Sequence, residues 1–138
     1  VNEVETFPQR YAAAVRAKDV GGLLSLYDDG VRLFDLWVVW SHEGASAWRT
    51  SVEEWFGSLG EQSVGVDFAD VQTTLTDTLA TLHAIITYRE VSSTGEELGS
   101  MQNRLTWVLQ KFDDGWRIVH EHTSAPVDFE TSKVILQR

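Results

Sequence analysis

The 138-residue chain reads as an α+β domain in which helices come first and then cover one face of a curved, mostly antiparallel sheet. Two patterns predict this. Apolar residues recur at helical spacing as far as Leu59, whereas from Ser63 onward four long stretches are rich in Val, Ile, Thr and aromatic residues. Turn signals separate those stretches: Thr76-Asp77, Ser92-Ser93-Thr94-Gly95 and Asp113-Asp114-Gly115. No repeat, low-complexity tract or linker interrupts the chain, so one domain over residues 1–138 is expected.

Each element has its own local grounds. Val4, Phe7, Tyr11, Ala14 and Val15 share a helical face. Thr6-Phe7-Pro8-Gln9 has the form of a capping box, with Pro in the first turn where its missing N–H costs little. Asp19 is the expected N-cap of a short second helix carrying Leu23, Leu26 and Tyr27; Gly21-Gly22 weakens it and Asp28-Asp29-Gly30 ends it. Val31–Trp37 reads as a strand, with Val31, Leu33, Asp35 and Trp37 on one face and Arg32, Phe34 and Leu36 on the other. A third helix is expected from about Ser46 to Leu59, with Trp48, Val52, Trp55, Phe56 and Leu59 on its apolar stripe and Gly57 and Gly60 closing it. Strands over Val64–Thr76, Leu79–Val91, Leu98–Phe112 and Trp116–Ala125 follow. Val127 to Arg138 is compatible with a terminal strand or a short helix.

Composition narrows the function. Lys and Arg number 11 against 21 Asp and Glu, so the net charge is 11 − 21 = −10. That field repels phosphate backbones and anionic lipid heads, and no basic stripe relieves it, so neither nucleic acid nor membrane is an expected partner. The absence of cysteine excludes a disulfide framework and thiolate chemistry. No apolar run approaches the roughly 18–20 residues of a membrane span. Val1-Asn2-Glu3-Val4-Glu5 is acidic where a signal peptide is basic, which makes a cytoplasmic location the expectation. Six tryptophans point to an aromatic core, a ligand cavity or an aromatic interface.

The last hairpin permits a register. If Phe112 opposes Trp116, then Val108 opposes His120, Thr106 opposes His122 and Arg104 opposes Ser124. Arg104, Thr106, His120, His122 and Ser124 then share one face; Leu105, Trp107, Leu109, Val119, Glu121 and Thr123 share the other. Either face could lie under the helices. The polar face is assigned to a cavity there, because convergent polar groups give pockets their specificity. The apolar face is assigned to a second subunit, giving a homodimer through the outer face of the sheet.

The order helix–helix–strand–helix–meander, with Arg10-Tyr11, Leu26-Tyr27-Asp28-Asp29 and Arg32-Leu33-Phe34-Asp35, resembles the ketosteroid-isomerase-like and SnoaL-like proteins of the nuclear-transport-factor-2-like superfamily. The likeness runs from about Phe7 to Pro126. Its most specific part is Gly115-Trp116-Arg117-Ile118-Val119-His120-Glu121-His122-Thr123-Ser124-Ala125-Pro126 preceded by Arg104-Leu105-Thr106. The resemblance implies a cone-shaped sheet with three helices packed on its concave side, holding a small, partly apolar ligand. It also implies isomerase-, cyclase- or dehydratase-like acid–base chemistry. A non-catalytic sensing or assembly module, like the association domain of calmodulin-dependent kinases, is the alternative within the same superfamily.

Residue by residue, the resemblance makes Asp35 the base and Tyr11 the hydrogen-bond donor to the substrate oxygen. The second acid of the isomerases has no counterpart between Asn103 and Lys111; Arg104 stands there instead and suits an anionic ligand. His122 is the further acid–base candidate, with an unperturbed pKa of about 6.5 suited to that work. His120, Thr106, Trp37 and Trp55 complete the expected ligand contacts. His120 and His122 stand at a spacing a metal site can use, but no third ligand is evident, so neither metal nor organic cofactor is expected.

Overall fold

The computed structural model describes residues 2–138. A 3-10 turn, Glu3–Thr6, runs into α1 (Phe7–Arg16), which is followed by α2 (Val20–Leu24), β1 (Tyr27–Phe34) and β2 (His42–Glu43). After α3 (Ala45–Ser58) come the long strands β3 (Ser63–Leu75), β4 (Leu79–Val91), β5 (Glu97–Phe112) and β6 (Gly115–Ser124). One six-stranded sheet results, in the order β2-β1-β6-β5-β4-β3. β1 and β6 are parallel, and the other neighbours are antiparallel. α1 packs on β3 near one edge, whereas α3 packs on β1 and β2 at the other. Both edges of the sheet therefore bend toward one helical layer, and the fold is mixed α+β as the sequence predicts.

The core lies between those layers. Phe7, Tyr11, Leu23, Leu33, Leu82, Ile86, Leu105, Trp107, Leu109 and Ile118 are fully buried. Asp19 caps α2 through a bond from the Gly22 N–H to its Oδ1 at 2.9 Å. A Cβ on Gly22 would run into that carboxylate. The glycine that lowers helix propensity thus makes room for the cap.

Local chemistry departs from expectation at several elements. Thr6 makes no capping bond; its hydroxyl donates to the Glu3 carbonyl at 2.6 Å. Asn2 caps the preceding 3-10 turn instead, accepting from Val4 N–H at 2.8 Å, so α1 begins on a chain that is already turning. Asp28-Asp29-Gly30 does not end α2, which stops at Leu24, but lies within β1. The Ile118 N–H donates to the Leu26 carbonyl at 2.8 Å and Tyr27 pairs with Ile118, drawing this stretch alongside β6. A register shift between Tyr27 and Arg32 absorbs it. β1 ends at Phe34, so Asp35 and Trp37 sit just beyond the strand.

The tail is neither a long strand nor a helix. Val127 and Val134 form an isolated bridge, and the chain then runs beside the half of β5 that β6 does not reach. There the Gln102 N–H donates to the Leu136 carbonyl at 2.7 Å, Gln137 Nε2 to the Ser100 carbonyl at 2.6 Å, and the Arg138 N–H to Gln102 Oε1 at 2.8 Å.

The β5–β6 hairpin keeps the expected pairs Arg104–Ser124, Thr106–His122 and Val108–His120. Between Val108 and Leu109 the register shifts, so Leu109 faces Ile118 and Phe112 faces Gly115, not Trp116. This bulge turns Trp116 and Ile118 inward together with Glu121 and Thr123.

The two sheet faces lie the opposite way round from the sequence assignment. Leu105, Trp107, Leu109, Glu121 and Thr123 are buried under the helices. Arg104, Thr106 and His122 are exposed on the outer face, and His120 and Ser124 are half-buried there. The reason is physical: burying Leu105, Trp107 and Leu109 removes large apolar areas from water, at about 25 cal/mol per Å². Burying Arg104 without an acid partner would instead strand a charge. The apolar side chains assigned to a second subunit are therefore core, and the outer face is polar. Among the described residues no helix is long and apolar enough to cross a membrane.

Candidate functional site

The helical layer and the sheet enclose a cavity of about 570 Å³. α1 contributes Tyr11; α3 contributes Trp48 and Trp55; the loop after β1 contributes Asp35 and Trp37; β4, β5 and β6 contribute Tyr88, Asn103 and Glu121. Leu136 of the tail also reaches the wall. Each inward side chain follows from strand alternation, Asn103 with Leu105 and Trp107 on β5, Glu121 with Thr123 on β6.

Asp35 stands where the chain leaves the sheet. Its Oδ1 accepts from the Thr123 hydroxyl at 3.2 Å and its Oδ2 from the Trp37 N–H at 3.3 Å. Thr123 accepts in turn from the Leu36 N–H at 2.8 Å, which ties the start of this loop to β6. Burial raises the Asp35 pKa above the ordinary carboxylate value, against the lowering effect of the Trp37 and Thr123 hydrogen bonds. The loop then turns at Val38, a β-branched residue at φ +70°, and Trp40 points into solvent at 96% exposure.

Tyr11 and Tyr88 share a hydrogen bond between their hydroxyls at 2.9 Å. Burial pushes both phenols up, so they stay protonated and can donate to a ligand. Trp55 stacks edge-on to Tyr88 at 6.0 Å between ring centroids, holding the pair from the α3 side.

Glu121 was not singled out in the sequence, yet it is the most buried acid at the site, 2% exposed. Its Oε1 accepts from the Tyr27 hydroxyl at 2.5 Å and from Trp107 Nε1 at 2.9 Å. Burial lifts its pKa to about 7, beyond what those two donors offset, and the nearby Asp35 charge adds to the rise. A signal was present: Glu121 alternates onto the same face as Leu105 and Trp107, and an acid on an apolar face calls for a partner. Trp48 Nε1 and Asn103 Oδ1 are buried beside the cavity without a hydrogen-bond partner.

Of the residues expected at the site, the structure brings Asp35, Tyr11, Trp37 and Trp55 to the cavity wall. Arg104, Thr106, His120 and His122 lie across the sheet from it. Arg104 donates to Ser124 Oγ at 3.0 Å and, with Thr106, lines a smaller and more open outer groove of about 370 Å³. His120 bonds the Arg32 carbonyl at 2.7 Å through Nδ1, and both His rings pack edge-on to Phe34. Among the described residues no group of three or more His, Cys, Asp or Glu could hold a metal ion.

Comparison with known proteins agrees with this architecture. A family model described as a SnoaL-like domain matches residues 4–128. An NTF2-like protein of unknown function from Pseudomonas putida KT2440 superposes with a TM-score of 0.87 at 26% identity, covering 99% of this chain and 93% of that one. A protein from Xanthomonas campestris assigned as a calcium/calmodulin-dependent protein kinase II association domain gives 0.76 at 19% identity, over 90% and 86% of the two chains. An NTF2-like protein with a cystatin-like fold from Novosphingobium aromaticivorans gives 0.75 at 16%, over 88% and 79%. The last two are likenesses of fold alone. No curated protein matches the sequence.

Proposed function

The chain belongs to the SnoaL-like domain family, and from that premise we propose that its cavity binds a small, partly apolar molecule and moves a proton on it. Asp35 is the base. Its carboxylate is partly buried and holds a proton more tightly than a free carboxylate, which makes it the stronger base. The Tyr11–Tyr88 hydroxyl pair is the donor to the oxygen on which negative charge develops. In the step envisaged, Asp35 takes a proton from carbon next to a carbonyl, the enolate oxygen accepts a hydrogen bond from the pair, and the proton returns to a different carbon.

The observation that carries this reading is the opening of a raised-pKa carboxylate and a hydrogen-bonded phenol pair, Tyr11 buried and Tyr88 half-buried, into one cavity with three tryptophans in its wall. The test is a screen of neutral cyclic ketones by thermal shift, followed by α-proton exchange in D₂O for those that stabilise the protein. Exchange that disappears in Asp35→Asn, with binding retained, supports the proposal. Exchange equal in both proteins rejects the catalytic part.

A non-catalytic sensing or assembly module is the second reading. It is favoured by the fold shared with the Xanthomonas protein assigned as a kinase association domain. Under it, Asp35→Asn leaves every measured behaviour unchanged.

A further inference from the structure

We propose that the ligand of this cavity carries a positive charge at one end: a protonated or quaternary amine joined to an apolar body. This narrows the small-molecule reading above to a ligand class and rests on it. The charge of the wall is the first ground. Asp35, Glu90 and Glu121 line the cavity, and no Lys, Arg or His does. Of the cationic residues on the neighbouring strands, Arg32 pairs with Glu43, Arg89 with Asp67 and Glu97, Arg117 with Asp28 and Asp114, and Arg104 lies on the outer face, while His42 packs edge-on to Trp48 and acts on Asp35 without lining the cavity.

The second ground is the way Glu121 is held. Both of its donors, Tyr27 and Trp107, bond Oε1, and Oε2 has no hydrogen-bond partner among the described residues. Asn103, 7% exposed on the same wall, leaves its Oδ1 unpartnered as well. Asn103 Oδ1, a buried acceptor without a donor, and Glu121 Oε2, a carboxylate oxygen on the cavity wall that makes no hydrogen bond among the described residues, call for a ligand that brings N–H groups or positive charge. The other buried polar atom, Trp48 Nε1, is a donor that acts on the Tyr27 hydroxyl, whose oxygen is free to accept because its proton goes to Glu121.

The third ground is the rest of the lining. Trp37, Trp48 and Trp55 border the cavity, and indole faces attract a cation within about 6 Å of the ring centre. Aromatic faces beside an uncompensated carboxylate suit an ammonium group. A carboxylate or phosphate ligand would meet like charge, and a neutral ligand gains from burying its apolar part and from the Tyr11–Tyr88 donors but nothing from the acids.

The experiment is titration calorimetry with three probes of similar size: benzyltrimethylammonium, its uncharged carbon isostere neopentylbenzene, and phenylacetate. The cation is expected to bind at least about tenfold tighter than the isostere, the factor that roughly 1.4 kcal/mol represents, with phenylacetate weakest. In Glu121→Gln the cation should lose that margin while the isostere keeps its affinity. Glu90→Gln, changed on an exposed residue, should lose less. Equal or tighter binding of the isostere or of phenylacetate overturns the cation proposal and leaves cavity binding standing. A cation margin unchanged in Glu121→Gln overturns the assignment of Glu121. Binding of none of the three overturns this proposal; the small-molecule reading falls with it only when the neutral cyclic ketones of the thermal-shift screen also fail to bind.

Discussion

Replacing Glu121 by Gln should flatten the dependence of stability on pH. Glu121 passes from an ordinary value of 4.5 to about 7 in the folded protein. The native state therefore holds the proton more tightly than the unfolded chain does. Below about pH 4.5 the group is protonated in both states and favours neither. As pH rises above that, the unfolded chain ionises first and gains, so stability falls; above about pH 7 both states are ionised and the loss levels off. At 1.36 kcal/mol for each pKa unit, the gap from 4.5 to about 7 corresponds to a loss of about 3 kcal/mol.

A glutamine keeps an Oε1 that can accept from Tyr27 and Trp107 but carries no charge. Urea unfolding of both proteins at about pH 5 and about pH 8.5 gives the comparison. The margin of Glu121→Gln over the parent should grow by about 2 to 3 kcal/mol between about pH 5 and about pH 8.5. Asp35 is coupled to Glu121, so the same comparison in an Asp35→Asn background isolates the Glu121 contribution. Curves that run parallel across the range would refute the reasoning, because Glu121 would then ionise as freely when folded as when unfolded.

Two further outcomes follow from the packing. Trp107→Ala should cost about 3 to 5 kcal/mol in chemical denaturation, since its ring packs against Phe7, Tyr11 and Phe68 and its Nε1 supplies one of two donors to Glu121. Arg104→Gln, on the exposed outer face, should change stability by less than about 0.5 kcal/mol and leave calorimetric affinity for any cavity ligand within about twofold.

The long elements were legible because one signal dominates each. Leu79–Val91 is rich in Ile, Thr and Val and bounded by turn signals, and the strand has those ends. Asp35 and Tyr11 were found through their place in a family pattern, and both stand at the cavity. The faces of β5 and β6 were not legible from the polar groups, because Arg104 and two histidines on one face resemble a designed site. The apolar bulk of Leu105, Trp107 and Leu109 decided the orientation, and burial energy outweighs convergence of polar groups when the two disagree. The bulge after Val108 was hidden too, since a one-residue insertion changes parity without leaving a Gly or Pro behind. Glu121 is hidden for a related reason: it is flanked by two histidines, and those lie on the opposite face of the sheet.

The tail lying along β5 does more than complete a wall. β6 stops opposite Arg104, so without residues 134–138 the backbone of β5 near Gln102 would present open N–H and C=O groups at a sheet edge. Such an edge is a template for pairing with another chain, and proteins keep it covered. Here the cover is the same segment that places Leu136 at the ligand cavity. Protection from edge-to-edge aggregation and access to the interior are thus governed by one short stretch of chain, held by three hydrogen bonds to Ser100 and Gln102 and by the Arg138–Asp70 ion pair.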